Sequence, residues 1–166
     1  FLMNPTGFLF GPNATVNVGG MVAFTSADYM KLADGARFNA IPNAAADALL
    51  TASPVVSFGF LGSTPGAITV QGSQFSVTDG QSISLVGGDI TIQSGTLDDG
   101  TLQSAKLSAP GGQINLASVA SPGEILAGTM GQAPNINGQS FGNLGAVQIS
   151  EQSIIDVSGK TIMPGL

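Results

Sequence analysis

Gly66-Ala67-Ile68-Thr69-Val70 and Gly88-Asp89-Ile90-Thr91-Ile92 are two copies of one pattern: glycine, a spacer, then aliphatic-polar-aliphatic. Successive side chains of a strand point to opposite faces, so Ile68 and Val70 share one side and Thr69 takes the other. The pattern returns at Gly112-Gln113-Ile114-Asn115-Leu116 and Gly145-Ala146-Val147-Gln148-Ile149, with successive glycine offsets of 22, 24 and 33 residues. Ser82-Ile83-Ser84-Leu85-Val86 is a related segment between the first two, and Ile154-Ile155-Asp156-Val157 follows the last. Offsets in the low twenties suit stacked coils, none of which can bury its apolar face alone. Strict alternation means one apolar side, whereas most parallel sheets are covered on both. A parallel β-helix reconciles the two facts, with aliphatics inward and Thr, Asn and Gln outward. The competing architecture is an antiparallel sandwich, whose strands recur about every 8–12 residues.

Upstream of the repeat the chain is built from turns and short strands. Asn4-Pro5-Thr6-Gly7 and Gly11-Pro12-Asn13 carry turn chemistry: Pro fixes φ, Asn tolerates the left-handed region and Gly enters it freely. Phe8-Leu9-Phe10 and Val16-Asn17-Val18 read as the strands beside them. Met21 to Phe24 and Val55 to Leu61 are further apolar strands, and Asp34-Gly35 marks a hairpin with Ala36 to Ala40 as its return. Pro42 to Leu50 is alanine-rich and predicts one short helix, stopped by Pro54. Pro122 to Asn143, containing Glu124, Met130, Pro134 and Phe141, accounts for the 33-residue offset and reads as a long excursion between coils.

Composition narrows the function. Charged residues make up 8% of the chain, far below the roughly 25% usual for soluble domains. The four cations are Lys31, Arg37, Lys106 and Lys160, against ten acids, for a net charge of −6. A nucleic-acid partner needs clustered Lys and Arg, so none is expected. With no His and no Cys, familiar zinc sites, disulfides and Ser-His or Cys-His catalysis are absent. No catalytic residue, metal site or cofactor is expected.

The remaining candidates have ordinary explanations. Asp98-Asp99-Gly100 reads as an acidic turn, since adjacent strand carboxylates face opposite ways and cannot flank one glycosidic bond. Asp89 is expected to be a buried cap on turn amides. Arg37 is expected on the hairpin surface near Asp28 or Asp34. Phe8, Phe10, Phe24, Phe58 and Phe60 are read as core or end cap, and Val86-Gly87-Gly88-Asp89 as a turn without the Lys of a phosphate cradle.

Several blocks, in order, carry a resemblance. They are Asn4-Pro5-Thr6-Gly7 with Phe8 to Ala14, Val18-Gly19-Gly20, Thr25 to Asp28, Ser63 to Gly72, Leu85 to Ile90 and Ala109 to Val119. Together they resemble the N-terminal secretion domain of filamentous-haemagglutinin-like exoproteins, the two-partner secretion domain of Gram-negative bacteria. Thr6 stands where that family usually has Asn or Ala, and a second upstream Asn-Pro motif and a capping segment are not in this chain.

The resemblance implies an all-β fold, a single-stranded right-handed parallel β-helix with an extra-helical hairpin or small antiparallel sheet. It implies one secretion domain over 1–166, read as truncated at both ends, with a motif region over 1–65 and stacked coils over 66–166. The implied role is targeting. A partner outer-membrane barrel transporter with periplasmic recognition modules reads the chain, with Asn4, Pro5, Thr6, Gly7, Gly11, Pro12 and Asn13 as candidate recognition and turn residues. The product is then secreted or held at the cell surface, having passed through the periplasm, and nucleates β-helix folding of an adhesin or haemagglutinin. Host or cell-surface glycans are partners of the full-length protein in this reading. The alternatives are a carbohydrate-active or carbohydrate-binding β-helix and a purely structural adhesin fragment.

Overall fold

The structure, a computed structural model, describes residues 1–47, 51–127, 141–150 and 152–159. Three short strands make the first circuit: β1 (Leu2–Met3), β2 (Phe8–Phe10) and β3 (Thr15–Val18). The chain then returns above β1 as β4 (Val22–Thr25) and leaves the stack as β5 (Tyr29–Leu32), β6 (Arg37–Asn39), α1 (Ala44–Asp47) and β7 (Val55–Phe60). It re-enters as β8 (Ile68–Gln71) and β9 (Gln74–Val77). The third circuit is β10 (Ser82–Gly87), β11 (Ile90–Gln93), a small hairpin of β12 (Gly95–Thr96) and β13 (Leu102–Gln103), and β14 (Lys106–Ser108). The fourth is β15 (Gln113–Ser118), an excursion containing β16 (Gly123–Leu126), then β17 (Val147–Ile149) and β18 (Ile154–Asp156).

Strand order gives the architecture directly. The first face is β1-β4-β10-β15, the second β2-β8-β11-β17 and the third β3-β9-β14-β18. Every pairing within the three faces is parallel. Four coils therefore stack into a three-sided parallel β-helix. A bare coil takes 22 residues, the step from Leu2 to Phe24 on the first face and from Ile68 to Ile90 on the second. Longer steps contain insertions.

Inward side chains stack in columns. Ile68 and Ile90 are in register, as are Val70 and Ile92, and all four are fully buried. Phe75 and Leu107 form the corresponding column of the third face, and Phe24 and Leu85 that of the first. Each such side chain contributes about 1.5–3 kcal/mol by leaving water. The first coil closes its end with aromatics. Phe10 meets Phe24 edge-on at 4.8 Å and Phe75 at 4.9 Å, and stacks on Phe8 at 5.7 Å. Phe8, Phe10 and Phe24 are thus core or end packing, as predicted; Phe75 joins them.

The middle strands of the first face, β4 and β10, are buried on both sides. An antiparallel sheet, β16-β7-β5-β6, covers the outside of that face. Met30, Phe58, Phe60, Ile125 and Phe141 pack there on Val86 and Ala117. The Asp34-Gly35 hairpin forms as predicted, with Met30 opposite Phe38. The helix is short, and the predicted positions 48–50 lie outside the described residues.

Three expectations need correction. The Gly112 unit does not stack on the other three. It belongs to the first face, with Ile114 beside Ile83 and Leu116 beside Leu85, because the preceding coil spends its extra residues on the β12–β13 hairpin. The excursion from Pro122 is not all loop, since Glu124 to Leu126 pair with β7; Met130 and Pro134 lie outside the described residues. Asp89 caps an amide as expected, accepting from Ala146 N at 2.8 Å, but it is exposed, because the coil corner turns its side chain outward.

The columns make a direct prediction. Ile90→Ala should lower unfolding free energy by about 2–5 kcal/mol through lost transfer energy and a cavity. Thr91→Ala, on the outward side of the same strand, should stay within about 0.5 kcal/mol. Urea unfolding of the two variants beside the parent checks this.

Candidate recognition site

The Asn4–Gly7 segment is the corner between the first and second faces in the first coil. Gly7 N donates to Asn4 O at 2.9 Å, which closes a β-turn with Pro5 at its second position. Gly7 has φ 95°, and a Cβ there would lie 2.1 Å from Ala67 O, so conformation and space both require glycine. The Asn4 side chain is consumed inside the turn. Its Oδ1 accepts from Thr6 N at 3.2 Å and Thr6 Oγ1 at 2.8 Å, and its Nδ2 donates to Gly7 O at 3.0 Å. A side chain that bonds the backbone two residues on is the usual device of an Asx-turn. Thr6, the departure from the family pattern, thus adds a hydroxyl bond to the turn.

The backbone binds this turn to the second coil. Asn4 N donates to Thr25 O at 3.0 Å, Gly66 N to Pro5 O at 3.1 Å and Phe8 N to Ala67 O at 2.9 Å. Gly66 can approach so closely because it lacks a Cβ, which would lie 2.3 Å from Gly7 N. The turn is therefore rigid and outward-facing, with Asn4 and Thr6 exposed and Pro5 half-buried.

Gly11, Pro12 and Asn13 occupy a different corner, between the second and third faces. Ala14 N donates to Gly11 O at 2.9 Å and closes that turn. Ser73 Oγ donates to the carbonyls of Phe10 and Gly11, both at 2.9 Å, and Gln103 Nε2 to Pro12 O at 2.6 Å. The structure consequently splits the predicted residues into two turns at either end of β2. Leu9 lies between them on the outer side of that strand, 74% exposed. Asn4, Thr6, Leu9 and Asn13 line one exposed rim, and no charged side chain occurs in the sequence before Asp28. Such a rim can bind by shape, apolar contact and neutral hydrogen bonds.

Sequence reasoning missed a second cluster. Glu124 on β16 accepts from Tyr29 Oη at 2.7 Å, Lys31 Nζ at 3.4 Å and Ser57 Oγ at 3.2 Å, and its Oε1 is 3.9 Å from Arg37. The Arg37 guanidinium also lies 4.0 Å over the Tyr29 ring. Arg37 is on the hairpin surface as expected, but it pairs with Glu124 rather than Asp28 or Asp34. The only sequence signal was charge scarcity: two of four cations lie in one hairpin, and a carboxylate must be brought to them. The Tyr29 hydrogen bond, then the Lys31 charge, hold the Glu124 carboxyl below its usual range. Burial, with Glu124 beside it, pushes Tyr29 up to about 12.

Asp99 accepts from Thr101 N at 2.8 Å and turns the β12–β13 hairpin, which agrees with an acidic turn. Among the described residues no three His, Cys, Asp or Glu side chains gather as metal ligands would.

Comparison with known proteins gives one family. The model of the TPS secretion domain matches residues 1–165. No curated protein and no solved structure matches the chain.

Two outcomes follow from the geometry. Gly7→Ala should destabilise the fold by roughly 1–3 kcal/mol through overpacking, with strain at φ > 0 added. Asn4→Ala, which removes exposed bonds only, should cost about 0.5–1.5 kcal/mol; thermal melts of both variants rank them. Glu124 stabilises the fold above the usual carboxylate range, and that contribution is lost as pH falls through its depressed folded value. Tyr29 acts at the other end, its contribution fading as pH rises from 10 towards about 12. Glu124→Gln should therefore be less stable than the parent at pH 7 and closer to it at pH 3, as read from urea midpoints at the two pH values.

Proposed function

The chain belongs to the TPS secretion domain family, and from that premise we propose that its first-coil rim is what a partner outer-membrane barrel transporter recognises. The family is a secretion family and not a known enzyme family; it implies an exported exoprotein of the haemagglutinin-like, two-partner type with a transporter partner. The observation that carries the finer reading is the Asn4–Gly7 turn, uncharged and closed by its own bonds, with the Asn4 and Thr6 side chains bonded only within it, so that the turn can form before the coils stack.

In this reading, 1–166 is one β-helix secretion domain. The transporter's periplasmic modules meet the chain before it folds, and Asn4, Pro5, Thr6, Gly7, Gly11, Pro12 and Asn13 present two preferred turns flanking a short apolar strand. Recognition of such a strand by its edge is β-augmentation, with main-chain bonds giving affinity and pockets reading alternate side chains. Low charge and lack of cysteine leave little to hinder threading through a barrel.

Folding outside then makes return unfavourable, and the fourth coil supplies a template. Val147, Ile149 and Ile155 are in register with the fully buried Ile90, Ile92 and Leu107, yet are themselves exposed. Exposed members of a buried column favour addition of a further coil. Adhesion to glycans belongs, in this reading, to the exoprotein as a whole.

The test is secretion of the exoprotein carrying this chain, as parent, Asn4→Ala and Ile90→Ala, in cells with and without the partner barrel. Export of Asn4→Ala should fall to the level of the barrel-less strain, while Ile90→Ala, despite its larger loss of stability, should still depend on the barrel and be exported in part. Equal export of parent and Asn4→Ala, or export of the parent without the barrel, would overturn the proposal.

A further inference from the structure

The outer face of the antiparallel sheet is ordered in two rows of directly opposed residues. One row is Leu126, Ser57, Lys31 and Arg37, and the next is Glu124, Gly59, Tyr29 and Asn39. Lys31 and Arg37 are therefore cross-strand neighbours, a position in which like charges repel. The sequence has four cations against ten acids, yet it sets two of the cations face to face. Two cations against the one Glu124 carboxylate leave this face with a net positive charge. The nearby acids are engaged elsewhere. Asp28 accepts from Leu61 N at 2.7 Å, and Asp34 from Ala36 N at 3.0 Å and Ser53 Oγ at 3.1 Å.

Arg37 is the unfilled part of this face. The Tyr29 ring lies over Gly59, where a Cβ would be 1.9 Å from the ring, and the guanidinium stands over the ring at 4.0 Å. Its 3.9 Å approach to Glu124 is too long for a hydrogen bond, and the Glu124 oxygens already accept from Tyr29, Lys31 and Ser57. Among the described residues the guanidinium fork thus finds no acceptor. A guanidinium held on a ring with its donors unspent is organised to take a carboxylate by two parallel bonds. Leu126, at the far end of the same row, is 49% exposed and adds an apolar contact.

The fold displays such a carboxylate on its opposite side. The β12–β13 hairpin projects from the corner between the second and third faces, and in a three-sided helix that corner is opposite the first face, which the antiparallel sheet covers. Asp98 and Asp99 are exposed at its tip, and Leu102 beside them is 63% exposed. Asp99 accepts from Thr101 N, whereas Asp98 makes no hydrogen bond with the described residues. The hairpin root is tied down to the first two coils, with Gln103 Nε2 donating to Pro12 O and Gly72 O. β5 and β6 lie towards that same end, since β5 follows β4 of the second coil and β6 is beyond it, away from β16 of the fourth.

We propose that the outer face of the antiparallel sheet docks the β12–β13 hairpin tip of a second copy of this chain, with Asp98 on Arg37 and Lys31 and Leu102 against Leu126. Tip and face are different surfaces on opposite sides of one molecule, so the contact is heterologous and does not close: each copy receives the next, in a row of β-helices side by side. Two charges and one leucine from each copy make a small contact, below the roughly 1,200 Å² of a stable complex. It is weak in free solution and effective where many copies are tethered together. The inference does not rest on the transporter reading, since it concerns the folded product and none of its contacting residues is in the rim.

The test is small-angle X-ray scattering of the folded chain, as parent, Arg37→Glu and Asp98→Lys, over a concentration series at low and at high salt. The parent is expected to self-associate, and less so at high salt. Each variant alone should show an apparent dissociation constant raised roughly tenfold or more, the loss of about one charge-assisted pair. An equimolar mixture of the two variants should associate again, because the intact tip of one meets the intact row of the other. A parent that stays monomeric up to about 1 mM, the effective concentration of tethered copies, overturns the proposal. So does self-association that Asp98→Lys leaves unchanged, which would give the face to another acidic occupant, and so does a loss in both variants that mixing fails to restore. Asp98→Lys alters only an exposed tip, so it reports even where Arg37→Glu, beside Glu124, is poorly recovered.

Discussion

The whole structure depends on in-register stacking of parallel coils, which lets a column of aliphatic side chains shed water that no single coil could exclude. A coil of 22 residues has three short strands and no interior of its own. Its inward residues become core only when the next coil places equivalent residues one strand spacing away, about 4.8 Å. The ladder of main-chain bonds fixes that spacing, and the columns Ile68–Ile90 and Phe75–Leu107 exploit it. Register and hydrophobic burial are thus a single constraint. A slip of one residue would turn Ile90 outward and Thr91 inward along the entire face.

The corners follow from the same constraint. Backbones at successive corners must approach as closely as the strands do, which is why Gly66 and Gly88 would place a Cβ 2.3 Å and 2.2 Å from the coil below. Both large excursions, after β4 and after β15, depart between the first and second faces, and the chain re-enters the stack at Gly66 and Gly145, each in close approach to its neighbours. The candidate rim is the first corner of this column, and its rigidity is inherited from the second coil through Thr25, Gly66 and Ala67.

Most of this was legible in the residues. Alternation in Ile68-Thr69-Val70 and Ile90-Thr91-Ile92 identified inward and outward sides, and the 22-residue offset identified the coil. Asn-Pro-Thr-Gly and Asp34-Gly35 named their own turns, because Pro, Asn and Gly restrict φ locally. What was not legible depended on contacts across long separations. Gly112 to Leu116 has the same local pattern as its relatives, and only the hairpin inserted before it assigns it to another face. Gly123 to Leu126 is a strand because β7 has a free edge beside it. The Glu124 cluster joins residues 93 and 95 positions apart, beyond the reach of any periodicity. The secretion family was legible as a likeness; the division of the rim into two turns needed the fold.

The pairing of β16 with β7 has a further consequence for how the molecule comes apart. Stacked repeats ordinarily fray from an end, one unit at a time, since each touches only its neighbours. Here a strand leaving the fourth coil is zipped to one that leaves the second, passing over the third, which makes only a tight turn at that corner. Peeling the fourth coil therefore requires breaking this strap, with Ile125 and Phe141 beneath it and Glu124 fastened on its outer side. The strap couples non-adjacent coils, so the second to fourth should open together as one cooperative block, leaving the linear behaviour of a simple repeat array behind.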